Sequence, residues 1–298
     1  MTSPPSTGTV DYLVNAFTPD REAVWDEATA VQKIPVKVRR DPTDSFAEPD
    51  VLVARMDELG IATVFVVAGD EHHGHGPVDY HRVILSWDEA EPLLARHPGR
   101  FAVLWAVNPD LGMAGVQRTE EAFAHPGVAG AYLHTHSFDR TFDHADHYPF
   151  YALCSLHGLP MVMQAGTSGG LMPSECGKPI GIDRPAIYFP DTTFVLSHTG
   201  WPWVDEAVAM ALKFSNVYLG TGAYPPSHWS AAVVDFLRRP GRRKVVFGTN
   251  FPTVGHRHAL GQLDALDLTP EVRHLLLEGN ARRIFSRLPQ PIDRGETP

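Results

Sequence analysis

The chain has 298 residues, 43% hydrophobic and 20% charged, an ordinary globular composition with length for one large core or two small ones. A formal net charge of −10 argues against a nucleic-acid or anionic-membrane surface. No apolar run approaches the roughly 20 residues that span a bilayer, so no membrane partner is expected.

The opening MTSPPSTGTV lacks the basic-then-apolar order of a secretory signal, and Cys154 and Cys176 make no disulfide framework. A reducing, cytoplasmic setting is the expectation. Residues 1–9 are rich in Pro, Ser and Thr and are expected to be mobile. Residues 10–14 read as a first strand ending at Asn15, and 18–50 as a long loop with no clean period. A helix is expected over 51–59, with Asp50 as its cap and Gly60 as its stop, followed by a buried strand at 63–67.

The alternation then continues. Helices are expected at 88–96, 114–124, 149–156, 204–214, 230–238 and 270–285, and strands at 101–107, 128–133, 160–163, 194–196, 216–219 and 244–247. Residues 10–287 thus read as one α/β domain of eight strand–helix units, the pattern of a (β/α)8 TIM barrel, with a polar tail over 288–298. An open doubly wound sheet would need a Gly-rich phosphate loop after the first strand, and Asn15-Ala16-Phe17-Thr18 is not one.

The most informative stretch is TTFVLSHTGWPW, residues 192–203. A short apolar run stops at Ser197-His198, turns at Thr199-Gly200 and enters a helix with Asp205 and Glu206 in its first turn. That places His198 at the C-terminal end of a buried strand, where barrels of this kind keep their chemistry. The other strand ends present Asn15, Asn108, His134, His136, Gln164, Thr221 and Asn250, so polar side chains converge on one face while the strand interiors stay apolar.

These motifs resemble the amidohydrolase-related family, in particular enzymes of the aminocarboxymuconate-semialdehyde decarboxylase type. Arg100-Phe101 with Val107-Asn108-Pro109, Gly130-Ala131-Tyr132-Leu133-His134 and His147-Tyr148-Pro149 match its motifs in order. So do Ser197-His198-Thr199-Gly200 with Pro202-Trp203, Phe247-Gly248-Thr249-Asn250-Phe251-Pro252, and Glu278-Gly279-Asn280-Ala281. The resemblance implies a metal-dependent-hydrolase-like barrel, often a homodimer, with a divalent metal held by a His-x-His after the first strand, a His after the fifth and an Asp after the eighth. Here those positions carry Leu13 and Asn15, Gln164, and Asn250, and the fourth-strand Lys of some barrel hydrolases is matched by Tyr132. Leucine cannot ligate, and neutral amides are poor ligands for zinc-type metals. His198, which the resemblance makes a catalytic acid/base group, remains.

The expectation is therefore an enzyme without a metal or other cofactor, acting on a small-molecule substrate. His198 and His134 are the catalytic pair, and Asn15, Gln164, Asn250, Trp201 and His136 contact the substrate. A metal would lower the pKa of bound water from 15.7 to about 7, worth roughly 12 kcal/mol. A positioned histidine supplies about 3–5 kcal/mol. Hydrolysis of an unactivated amide is then out of reach, whereas dehydration, isomerisation, decarboxylation, ring closure or opening of an activated ester or lactone is not. Two alternatives stand beside this: a metal site relocated to His134, His136 and His198 or to the run His72-His73-Gly74-His75, and a non-catalytic ligand-binding barrel. His144 and His147 read as surface or loop residues, and Gly166–Gly170 as a flexible loop.

Overall fold

Strand β1 (Thr9–Val14) lies parallel to β2 (Ile61–Gly69), and the same parallel pairing carries around the molecule. Next come β4 (Phe101–Ala106), β5 (Val128–Leu133), β6 (Met161–Gln164), β7 (Phe194–Ser197), β8 (Val217–Gly220) and β9 (Val245–Val246). A two-residue strand, β3 (Leu85–Ser86), pairs with β2 outside this path and was not anticipated. The computed structural model describes residues 8–25, 44–69, 83–168 and 172–288.

Closure is made by the segment that follows β9. Tyr12 N–H donates to the Phe247 carbonyl at 3.2 Å, Asn250 N–H to Leu13 at 2.9 Å, and Asn15 N–H to Phe251 at 2.8 Å. Val14 bridges Phe251 in parallel. Eight parallel strands thus form a nearly closed barrel, and closure brings Asn15 and Asn250 side by side.

A parallel barrel is covered on both faces, so its strands must be apolar on both. On β2, Phe65 and Val67 belong to one buried cluster with Val10, Tyr12, Leu104 and Val195, the barrel interior. Val64, Val66 and Ala68 belong to the other, between barrel and helices. Phe285 seals the interior from below, its ring 4.4 Å from that of Phe65. Nearby, the Arg287 guanidinium donates to the carbonyls of Phe123, His125 and Val128. Tyr12 fills the barrel between β1 and β8–β9, and a Cβ on Gly220 or Gly248 would collide with it. Glycine is required at both.

The helices follow local signals. Helix α1 (Pro49–Leu59) begins with proline at its first position and ends at Gly60, whose φ of 66° only glycine adopts freely. Its cap position is Glu48, without a side-chain bond. Asp50, expected to cap, sits in the first turn and pairs with Arg96 instead. Helix α2 (Trp87–Arg96) opens with a capping box in which Ser86 and Glu89 satisfy each other's backbone N–H groups. Helices α3 (Met113–Phe123), α4 (Tyr148–His157), α5 (Asp183–Tyr188), α6 (Val204–Lys213), α7 (Ala231–Arg238) and α8 (His256–Gly261) complete the ring. The expected closing helix is α9 (Pro270–His274) and α10 (Asn280–Ile284), joined by a π-helical turn at Leu275–Gly279. Among the described residues no helix is long and apolar enough to cross a membrane.

Candidate active site

β7 ends in an unusual turn. His198, Thr199 and Gly200 have φ values of 61°, 55° and 73°, three left-handed residues in succession. For a β-branched threonine this is a costly conformation, of the kind that concentrates at functional sites. The turn leaves His198 6% exposed at the strand end. Its Nδ1 lies 2.8 Å from the Ser197 hydroxyl, which itself donates to the Met163 carbonyl at 2.8 Å. Its Nε2 meets no hydrogen-bond partner among the described residues. Burial, with the charge of His136 adding to it, depresses the His198 pKa to about 3, so the ring is neutral at physiological pH.

Gln164, in register with Ser197 on the neighbouring strand, is one of the positions where the family resemblance implies a metal, and Leu13, Asn15 and Asn250 at the β1–β9 seam are the others. Asn15 Nδ2 donates to Asn250 Oδ1 at 2.8 Å, and Asn250 Nδ2 reaches Thr253 Oγ1 at 3.3 Å. Gln164 Oε1 accepts from the Tyr132 hydroxyl at 3.4 Å. Leu13 is fully buried in the barrel interior. Buried amides need hydrogen-bond partners, and these three were expected to meet the substrate. Two of them instead satisfy each other, and the third is met by the tyrosine at the lysine position. Asn15 Oδ1 and Gln164 Nε2 keep free capacity among the described residues.

This donor set does not fit a divalent metal. Leu13 offers no donor atom, and Asn250 Oδ1 is occupied by Asn15. Among the described residues no three His, Cys, Asp or Glu side chains converge to hold a metal ion. His136 is unsuited to a relocated site because its Nε2 donates to the Gly166 carbonyl at 2.9 Å. Its ring is packed against Gly177, where a Cβ would lie 2.6 Å from Cε1. Burial lowers its pKa to about 4. His136 therefore braces the loops at 166 and 177. His72, His73 and His75 lie outside the described residues.

His134 is 3% exposed at the end of β5, with Nδ1 2.6 Å from Ser137 Oγ and its ring 5.6 Å from that of His136. Trp201 is 49% exposed, its ring 6.1 Å from Tyr224. Trp229 is buried and donates Nε1–H to the Tyr224 carbonyl, a packing role. His147, expected at a surface or loop position, stands in the short turn before α4 but is fully buried beside Tyr151, and neither of its nitrogens has a hydrogen-bond partner among the described residues. Gly166 and Thr167, expected in a flexible loop, are tied by backbone bonds to Gly177 and Trp201.

Two further residues escaped the sequence reading. Ser197 is one. Asp11 is the other, fully buried and accepting from Leu13 N–H, Thr249 N–H, Thr249 Oγ1 and His256 Nε2, the last at 2.9 Å. Its signal was an acid inside the otherwise apolar strand TVDYLV.

The fold has many solved counterparts. The uncharacterized TIM-barrel protein Bb4693 from Bordetella bronchiseptica superposes with a TM-score of 0.70 at 22% identity, covering 94% of this chain and 99% of that one. For 2,6-dihydroxybenzoate decarboxylase from Rhizobium the values are 0.63, 14%, 94% and 99%. For 4-oxalomesaconate hydratase from Rhodopseudomonas palustris they are 0.60, 16%, 94% and 96%. At such identities the likeness is one of fold. The 2-keto-4-carboxy-3-hexenedioate hydratase of Sphingobium sp. strain SYK-6 is 28% identical over 125 residues, 34% of this chain and 35% of that protein. The match thus spans about a third of that relative's length. The family model described as Amidohydrolase matches residues 10–287, from β1 through α10 and so across every strand of the barrel. This chain belongs to the amidohydrolase family.

Proposed function

We propose that the protein is a metal-independent general acid–base enzyme of the lyase type, adding water to or removing it from a small unsaturated organic acid. The observation that carries this reading is His198, pinned at Nδ1 and open at Nε2 at the end of β7, one strand from Gln164, whose strand position is in register with Ser197. In the hydration direction, Nε2 takes a proton from water as its oxygen bonds to the β-carbon of a conjugated C=C–C=O unit. The π electrons move onto the carbonyl oxygen, and Gln164 Nε2–H steadies that developing charge. A protonated His134 then delivers a proton to the α-carbon, His198 releases the proton it took to solvent and His134 regains one, so that the net change is addition of one water; Trp201 lies against the substrate at the mouth.

Magnitudes favour this class. A positioned base supplies about 3–5 kcal/mol and one oxyanion donor about 3–4, together near the lower end of enzymatic acceleration. Activated C=C hydration lies within that range, and unactivated amide hydrolysis does not. Hydration is the activity named for the partial relative, and decarboxylation and hydration are those named for two proteins of the same fold.

The test is turnover in chelator-treated buffer, with 2-keto-4-carboxy-3-hexenedioate as the first probe and simpler 2-keto-3-enoic acids next, followed by proton NMR in deuterated water. Turnover should persist with chelator and vanish in His198→Gln. Activity that needs added zinc or manganese would reverse the proposal, and tight binding without turnover would favour a ligand-binding barrel.

A further inference from the structure

We propose that Ser197 is a positioning residue that holds His198 in the Nδ1–H tautomer, leaving Nε2 as the lone-pair nitrogen at the barrel mouth. The inference rests on the reading of His198 as the acid/base group and adds the device that makes it one.

The argument is a count of hydrogens. Ser197 is fully buried on β7, so its single hydroxyl hydrogen has a protein destination. That destination is the Met163 carbonyl, 2.8 Å away on the neighbouring strand β6, and a carbonyl only accepts. With its hydrogen spent, Ser197 Oγ meets His198 Nδ1 at 2.8 Å as an acceptor, and Nδ1 must carry the proton.

Free imidazole in water prefers the opposite tautomer, with the proton on Nε2. Such a ring at this position would present an N–H to the mouth where the reaction needs a lone pair. The strand register makes the placement useful: Gln164 pairs with Ser197, so the amide proposed to hold the carbonyl oxygen sits one strand from the serine that orients the base. Ser197 touches no reacting atom. It acts through the ring.

The direct test reads the tautomer by long-range proton–nitrogen correlation NMR on protein labelled with nitrogen-15 histidine, near pH 8. His198 is assigned by its disappearance in His198→Gln. In the wild-type protein, Nδ1 should show a pyrrole-type and Nε2 a pyridine-type shift. The reverse pattern overturns the proposal and needs no Ser197 variant. Ser197→Ala should convert His198 wholly or partly to the Nε2–H form, whereas Ser197→Thr, which keeps the hydroxyl, should retain the wild-type pattern. An Ala variant that is folded and still Nδ1–H also overturns it. On a turned-over substrate, Ser197→Ala should lower kcat by up to the roughly 10²–10⁴-fold that a positioned base supplies, with KM little changed and Thr restoring most of it. If His198→Gln keeps full activity, the base assignment fails while the tautomer result stands, so the two failures are distinct.

Discussion

Asn15 donates from Nδ2 to Asn250 Oδ1 across 2.8 Å, joining the first and last strands of the barrel at its mouth. This contact gives both residues a partner in protein, closes the seam beside the backbone bonds of Leu13 and Phe251, and takes up the oxygen a metal would require.

The pair should behave as a unit in stability. Asn15→Leu strands Asn250 Oδ1 and should cost about 1–3 kcal/mol, as should Asn250→Leu. The double variant should cost clearly less than the sum, with a coupling of roughly 0.5–3 kcal/mol in a urea-denaturation double-mutant cycle. Simple additivity would mean that the hydrogen bond does not form.

Three buried histidines predict how stability depends on acid. Burial lowers His136 and His147 to about 4 and His198 to about 3, against an unfolded value near 6.5. Between pH 6.5 and 4 the unfolded chain therefore binds protons at these sites that the folded chain does not. Stability is full above pH 6.5 and falls as pH drops, each site adding up to about 1.4 kcal/mol per pH unit. The His147 side chain has no hydrogen-bond partner among the described residues and lies outside the proposed chemistry, so His147→Phe should give a measurably shallower fall. Superimposable urea midpoints over pH 4–7 would count against the assignment.

Trp201 offers a contrast between binding and folding. Half exposed, it should cost under about 0.5–1 kcal/mol of stability when replaced by alanine. A role against substrate predicts a raised KM with kcat nearly unchanged. A thermal shift of many degrees with unaltered KM would make it a packing residue.

The barrel was legible because its signal is local: apolar strands, Gly60 and the Ser86–Glu89 capping box are all written within a few residues. Strand ends followed, and His134, Gln164 and His198 lie where expected. Less legible were relationships that depend on closure. Asn15 and Asn250 stand 235 positions apart, and only the Tyr12–Phe247 and Asn15–Phe251 backbone bonds bring them together. The interior position of His147 is likewise set by Tyr151 and the packing of α4, which no pattern around His147 announces. Ser197 was visible as the residue before His198, but which way its one hydrogen points depends on Met163 across the sheet.

The most direct test of the whole account is the metal content of tag-free protein, by elemental analysis after purification with and without added zinc, manganese and iron. A neutral amide pair, a glutamine and a leucine predict well under about a tenth of an equivalent in every case, with activity indifferent to chelator. One tight equivalent, lost together with activity on chelation, would contradict it and return the chemistry to a metal-bound water.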